Sequence, residues 1–232
     1  MSKKIINVLS FYKFIKLQSL EILKKEIYRF MSQRYVHGTI ILSPEGVNIN
    51  ICGSRDKIEE SKKFLLRRLK IHKVFFNEDT INEIAFTKLK VKIKNEIIKL
   101  GFHLQQNQIL DHEHIDSSKW DKLISGGTII IDTRNKFEYL MGSFKNSINL
   151  DLYNFSDLEN KIDKLSLPAK SKDIGIFCTG GIRCEKASLV LRKLGYKKIY
   201  QLHGGIINYL REKPSSTNWQ GECFVFDDRI TY

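Results

Sequence analysis

The chain has 232 residues, 42% hydrophobic and 28% charged, with a formal net charge of +13. That length supports one large domain or two small ones, and the apolar content excludes wholesale disorder. No run approaches the roughly 20 apolar residues of a membrane span, and MSKKIINVLSFYKF lacks a signal-peptide apolar region, so a cytoplasmic protein with no membrane partner is expected. The four cysteines, Cys52, Cys178, Cys184 and Cys223, are too scattered for a disulfide framework and form no C-x-x-C zinc pair; thiol chemistry is the better use for them. Residues 1–110 carry 21 Lys and Arg against 10 Asp and Glu, net +11, whereas residues 111–232 carry 18 against 16, net +2. A compositional bias toward lysine would load both halves alike, so the lopsided charge points to a polyanion surface in the first half.

Residues 5–12 form an apolar run of strand length, and after Ser19 the spacing of Leu20, Leu23, Ile27 and Phe30 predicts an amphipathic helix. Residues 39–42 and 47–52 are β-rich runs separated by Ser43-Pro44-Glu45-Gly46, which has turn chemistry at both Pro and Gly, so a hairpin is expected. A second helix is expected over 57–69 and a half-exposed strand over 88–93. The order βαββαβ predicts a ferredoxin-like, acylphosphatase-like α+β sandwich over residues 1–94.

Residues 95–116 are polar and weakly periodic and read as a linker. Beyond them strands and helices alternate. Ser117 is placed to cap a short helix ended by Gly126-Gly127; strands are expected over 128–131, 148–150, 174–177 and 199–202, and helices near 158–165, 184–194 and 206–211. This is an α/β domain with a parallel sheet over 117–214, followed by a tail, 215–232, expected to pack on the domains.

The strand over 174–177 runs into Cys178, then Thr179, Gly180, Gly181, Ile182 and Arg183, with a helix at Cys184. A strand delivers the sulfur to the sheet edge, two glycines let successive N–H groups turn inward, and the helix points its positive end at the same spot. Arg183 adds a permanent cation and a possible donor, so Cys178 is expected to be a thiolate nucleophile with a lowered pKa. A structural cysteine packed like a small hydrophobe needs neither the loop nor the arginine.

These motifs resemble the rhodanese domain: IIIDTRNKFEYLMGSFKNSINL is similar to its first strand and Asp-x-Arg element, and FCTGGIRCEKASLVLRKLGYKKIYQLHGGIINYL to its cysteine loop, helix and closing Gly-Gly. Ser143 stands where many rhodaneses have histidine. The C-x-x-x-x-R loop resembles sulfur-handling members rather than the longer phosphatase loop. Together, SPEGVN, CTGGIRCEKAS, QLHGGIINYL and WQGECFVFDDR resemble the rhodanese-domain tRNA uridine-34 hydroxylases over both halves. The resemblance implies oxygen-dependent formation of 5-hydroxyuridine at the wobble position, with tRNA as partner, molecular oxygen as co-substrate and no evident cofactor. Many relatives carry a further C-terminal extension; any function of it is expected to be absent or dispensable here.

Other residues have weaker readings. Asp132 and Arg134 are expected to support the loop, and Cys184 either resolves Cys178 or packs in the first helical turn. Lys62, Lys63, Arg67, Arg68, Lys70 and Lys73 form the densest basic cluster and are expected to face tRNA phosphates. Asp111, His112, Glu113, His114 and Asp116 offer ligand types for iron or zinc but read as solvated linker, so no metal is expected; His203 reads as a surface residue, and Cys52 and Cys223 as core. Sulfur transfer through a Cys178 persulfide is the rival activity, and a redox-sensing tRNA-binding adaptor the third reading.

Overall fold

The computed structural model describes residues 5–104, 113–164 and 172–232. The chain divides into two compact units, residues 5–97 with Phe226–Ile230, and residues 98–225 with Thr231 and Tyr232.

The first unit contains β1 (Ile6–Phe14), α1 (Leu20–Ser32), β2 (His37–Ser43), β3 (Gly46–Gly53), α2 (Arg55–Arg68), β4 (Asn77–Ile81) and β5 (Leu89–Ile93). Its sheet has the order β4-β1-β3-β2-β5. The first four strands are the expected sandwich, but its fourth strand is β4, antiparallel to β1, and not the 88–93 segment. That segment is instead a fifth, added strand, parallel to β2 at the opposite edge. Asn77-Glu78-Asp79-Thr80-Ile81 has little β propensity; it forms a strand because β1 offers it a ladder, and its polar character suits an edge. Leu23, Ile27 and Met31 of α1 and Ile58 and Leu65 of α2 pack on Leu9, Ile40, Leu42 and Ile49 of the sheet. Between β2 and β3, Gly46 closes the hairpin where an added Cβ would lie 2.1 Å from the Lys13 carbonyl oxygen. The buried Glu45 carboxylate of that turn accepts from Ile97 N at 2.9 Å and ties down the end of the unit.

The second unit holds β6 (Glu113–Ile115), α3 (Ser117–Ser125), β7 (Ile129–Asp132), α4 (Lys136–Met141), β8 (Gly142–Phe144), β9 (Ile148–Asn149), α5 (Leu158–Lys164), β10 (Ile174–Phe177), α6 (Ile182–Lys193), β11 (Ile199–Leu202), α7 (Gly205–Glu212) and β12 (Trp219–Gly221). A parallel sheet of order β6-β11-β10-β7-β9 is its centre, and β12 pairs antiparallel with β8. Residues 113–115, read from sequence as linker, are the edge strand β6, which three short residues of mixed polarity could not announce. Asp116, not Ser117, caps α3 by accepting from Lys119 N at 2.8 Å, while Ser117 donates to Glu212 at 2.6 Å. Cys223 is buried, and beside it Phe224 forms an isolated bridge to Thr231. No helix among the described residues is long and apolar enough to cross a membrane.

Candidate active site

All four residues of β10 are buried, so the chain emerges at the carboxyl edge of the sheet with Cys178 as its next residue. In parallel α/β sheets that edge is where ligands bind. Gly181, at φ 97°, then turns the chain into α6, which begins at Ile182, two residues earlier than the sequence pattern indicates. The Cys178 sulfur accepts the Gly181 N–H at 3.1 Å. From below, Ile206 N donates to the Cys178 carbonyl at 3.0 Å and Ile207 N to that of Thr179 at 3.2 Å. This close seat requires Gly205: its φ is +70°, and a Cβ there would lie 2.5 Å from the Thr179 oxygen and 2.6 Å from the Cys178 oxygen.

Cys178 has no exposed surface. Burial by itself pushes its pKa up, but the Cys184 thiol as donor, the Arg183 charge, and the N–H groups of Arg183 and Cys184 outweigh it and lower the pKa to about 6. Cys184 moves the other way, raised by its own burial and by its hydrogen bond to and charge repulsion from Cys178. Of the two neighbouring thiols, Cys178 is the one that ionises more readily. Because the sulfur is sealed, reaction with anything the size of a base requires local opening of the loop's surroundings.

Arg183 engages more than the sulfur. Its Nη1 donates to Glu138 Oε2 at 2.6 Å, and its Nη2 to Glu138 Oε1 at 2.8 Å and Thr179 Oγ1 at 3.1 Å. Glu138 is completely buried on α4; burial pushes its pKa up, but the Arg183 charge and bonds, with the Arg134 charge, bring it net below the ordinary value. It also accepts from Asn135 N at 3.1 Å and Thr179 Oγ1 at 3.2 Å. Glu138 thus clamps both ends of the cysteine loop to α4. Sequence reasoning missed it, although Asn135 followed three residues later by glutamate is a capping-box signature.

Asp132 and Arg134 form a buried pair, with Arg134 Nη2 donating to Asp132 Oδ2 at 2.6 Å and to the Gly142 carbonyl at 2.6 Å. Ser143 donates to Asp132 Oδ2 at 2.9 Å. The pair binds the end of β7 to the start of β8 beside the loop. On the other side, Gln201 Nε2 donates to the Gly181 carbonyl at 3.1 Å and to Glu185 at 3.4 Å. His114 Nε2 lies 3.1 Å from the same Glu185 oxygen, and the His114 and His203 rings meet edge to face at 6.0 Å. His114 is therefore a strand residue against the active-site helix, not a solvated linker residue. His203 is half-buried rather than a surface group, and burial with the His114 charge lowers its pKa. Asp111 and His112 lie outside the described residues. Among the described residues no group of three or more His, Cys, Asp and Glu is arranged to hold a metal ion.

The basic cluster of the first unit is divided. Lys62 is paired with Glu78 and lies over the Phe76 ring at 4.2 Å, and Arg68 Nε bonds Glu26 at 2.5 Å. Lys63, Arg67, Lys70 and Lys73 are exposed around the end of α2. Cys52 is buried in β3 with a raised pKa from that burial, as a packing residue would be.

A cysteine seated between a parallel strand and a helix N-terminus, with an Asp-x-Arg pair on the neighbouring strand, defines a rhodanese-class domain; here it is joined to an acylphosphatase-like one. Family models agree, one for the UPF0176 acylphosphatase-like domain matching residues 6–97 and one for the rhodanese-like domain matching residues 116–212. The tRNA uridine(34) hydroxylase of Pelagibacter ubique is 42% identical over 97% of this chain and 74% of its own length. That of Legionella pneumophila strain Corby is 38% identical over 98% of this chain and 90% of its own. Among solved structures, a rhodanese-related protein from Thermoplasma volcanium is 29% identical, covering 44% of this chain and 93% of that one, with a TM-score of 0.37. The chain belongs to the tRNA uridine(34) hydroxylase family.

Proposed function

We propose that this protein hydroxylates C5 of the wobble uridine of tRNA, in the cytoplasm, with molecular oxygen as co-substrate and Cys178 as the reacting group. The observation that carries the reading is the similarity to relatives of that activity along 97% or more of the chain, which takes in both the thiolate loop and the basic first unit. Each half has a physical role in it. Lys63, Arg67, Lys70 and Lys73 supply exposed cations for RNA phosphates, and Cys178 supplies a soft nucleophile that is ionised at neutral pH. Addition of the thiolate to C6 of the uracil ring would enrich C5 toward an oxygen species; a Cys178 persulfide or sulfenate is the other form in which the sulfur could act.

The test compares nucleosides by mass spectrometry from a deletion strain complemented with wild type or Cys178→Ala. Loss of 5-hydroxyuridine and its derivatives with Cys178→Ala is expected. Normal amounts in the mutant would refute the reading, and thiosulfate-driven persulfide turnover without any effect on wobble hydroxylation would assign sulfur transfer instead.

A further inference from the structure

β5 is an addition to the four-stranded sandwich, and it is rich in lysine. Leu89, Val91 and Ile93 turn to the helix-packed core, so Lys90 and Lys92 stand on the other side of the sheet, flanked by Lys88 and Lys94. All four lysines are exposed, and among the described residues none has an ion pair. Elsewhere in this unit Arg34, Lys62 and Arg68 are each held by a carboxylate. The strand register carries the surface inward. Lys90 is opposite Thr39, Thr39 opposite Asn50, and Asn50 opposite Ser10; one step along, Lys92, Ile41, Asn48 and Tyr12 are aligned in the same way. The two rows lie two residues apart along the strands, about 6.6 Å at ~3.3 Å per residue. Beyond the lysines every side chain in them is neutral. Asn50 Nδ2 donates to Asn48 Oδ1 at 3.1 Å, which leaves the Asn50 oxygen as an acceptor and the Asn48 nitrogen as a donor. Acidic side chains gather at one end of the face: Asp79 and Asp227 hold Arg229, and Asp228 accepts from Thr87 N beside Lys88. Residues 88–94 carry four lysines and no acid, the next being Glu96.

We propose that this face of the first unit holds the unpaired strand of the tRNA anticodon loop, with phosphates along Lys90, Lys92 and Lys94 and bases laid across the neutral rows. The inference rests on the hydroxylase reading and adds a surface on the side of the sheet opposite α2, separate from the cations at the end of that helix. Three features favour this occupant. A row of unpaired cations of one sign, repeating at every second residue, complements a phosphodiester backbone that repeats its charge at every nucleotide. The amides of Asn48 and Asn50 and the ring of Tyr12 suit base edges and faces, which only an unpaired strand presents to a flat sheet. The first unit also runs directly into the catalytic one at Ile97–Ile98, and the wobble base and the 3′ end lie at opposite ends of a tRNA, so the single strand within reach is that of the anticodon loop. Lysines on an edge strand also keep other strands away, but β4 manages the opposite edge with Asn77, Glu78 and Asp79, without a row of one sign beside a neutral floor.

The experiment measures binding of three RNAs to the full chain across a salt series: a synthetic anticodon stem-loop, its stem as a closed duplex, and an acceptor minihelix with its unpaired 3′ end. Lys90→Gln with Lys92→Gln is expected to weaken stem-loop binding and to lower the slope of log affinity against log salt by about 1.4, two phosphates at ~0.7 each. Lys90→Arg with Lys92→Arg should keep both affinity and slope, which separates charge from structural damage. Lys122→Gln with Lys197→Gln removes the same charge from the second unit and should leave the slope as in wild type. Asn50→Ala should weaken stem-loop binding about fivefold, as for one hydrogen bond of ordinary strength, with slope and duplex binding unchanged. An unaltered slope in the Lys90 and Lys92 glutamine pair, an equal drop in the Lys122 and Lys197 pair, or a loss as large for the duplex or the minihelix as for the stem-loop would overturn the proposal. Wobble hydroxylation by a protein whose stem-loop binding ignores Lys90 and Lys92 would remove this surface alone. Lysine-dependent stem-loop binding with no 5-hydroxyuridine formed would remove the hydroxylase reading and leave the surface standing.

Discussion

Glu138→Gln is the sharpest perturbation of the loop. The side chain is completely buried and accepts both terminal nitrogens of Arg183, itself 5% exposed. An amide keeps the volume and one acceptor, but turns the other oxygen into a donor that faces a guanidinium N–H and leaves the cation uncompensated. Removing one member of a buried pair costs about 3–5 kcal/mol. With a urea slope of roughly 2 kcal/mol per molar, even ~3 kcal/mol lowers the midpoint by about 1.5 M. Both tryptophans, Trp120 and Trp219, lie in the second unit, so their fluorescence reports its unfolding selectively. The same change leaves the Arg183 charge to Cys178 without its carboxylate partner, so the Cys178 pKa should move further below the ordinary thiol value. A midpoint within about 0.3 M of wild type, together with an unshifted pH profile of Cys178 alkylation, would refute the clamp assigned to Glu138.

In wild type, alkylation of Cys178 should reach half its limiting rate near pH 6 and fall below it as the thiolate is protonated; mass spectrometry of labelled peptide resolves it from the other three cysteines, and a half-point above pH 8 would contradict the cradle. Cys184→Ala removes a donor to that sulfur and should move the half-point upward in the same assay; no movement would show that the two thiols do not communicate. Gly205→Ala should distort the loop and destabilise the second unit by at least ~1 kcal/mol from the left-handed backbone alone, read by urea unfolding with loss of wobble hydroxylation. Glutamine at Lys63, Arg67, Lys70 and Lys73 together should flatten the salt dependence of tRNA binding by roughly 0.7–0.9 for each phosphate left without its cation; an unchanged slope would place the RNA elsewhere.

The legible parts of the sequence are those with local chemistry. The Cys178 loop declares itself because a β run, two glycines, an arginine and a helix are consecutive, and the β2–β3 hairpin because Pro44 and Gly46 punctuate it. What escapes depends on pairing between distant segments. β4 is polar and borrows its conformation from β1, so a pattern reading gives its place in the sandwich to the alternating residues of β5. β6 exists only because β11 has a free edge, and with it His114 comes against Glu185, 71 residues away in sequence. Glu138 looks like one more surface acid on a short helix; its role is set by Arg183 and Thr179, which no spacing rule connects to it. Lys62 and Arg68 read as free cations for the same reason, because Glu78 and Glu26 come from other elements.

The return of Phe226–Ile230 to the first unit bears on how the protein is made. The Ala85 carbonyl receives a hydrogen bond from Asp228 N at 2.9 Å, Thr87 N donates to the Asp228 carboxylate at 3.1 Å, and Arg229 reaches Asp79 at 3.3 Å. The stretch between β4 and β5 is therefore completed by residues that leave the ribosome only after residues 98–225 of the second unit have been synthesised. The N-terminal unit can collapse early but cannot acquire its finished surface there until translation has passed the catalytic unit. A fragment ending near residue 97 would carry that stretch bare, so dividing this protein for expression at its apparent boundary separates the sandwich from the segment that completes it.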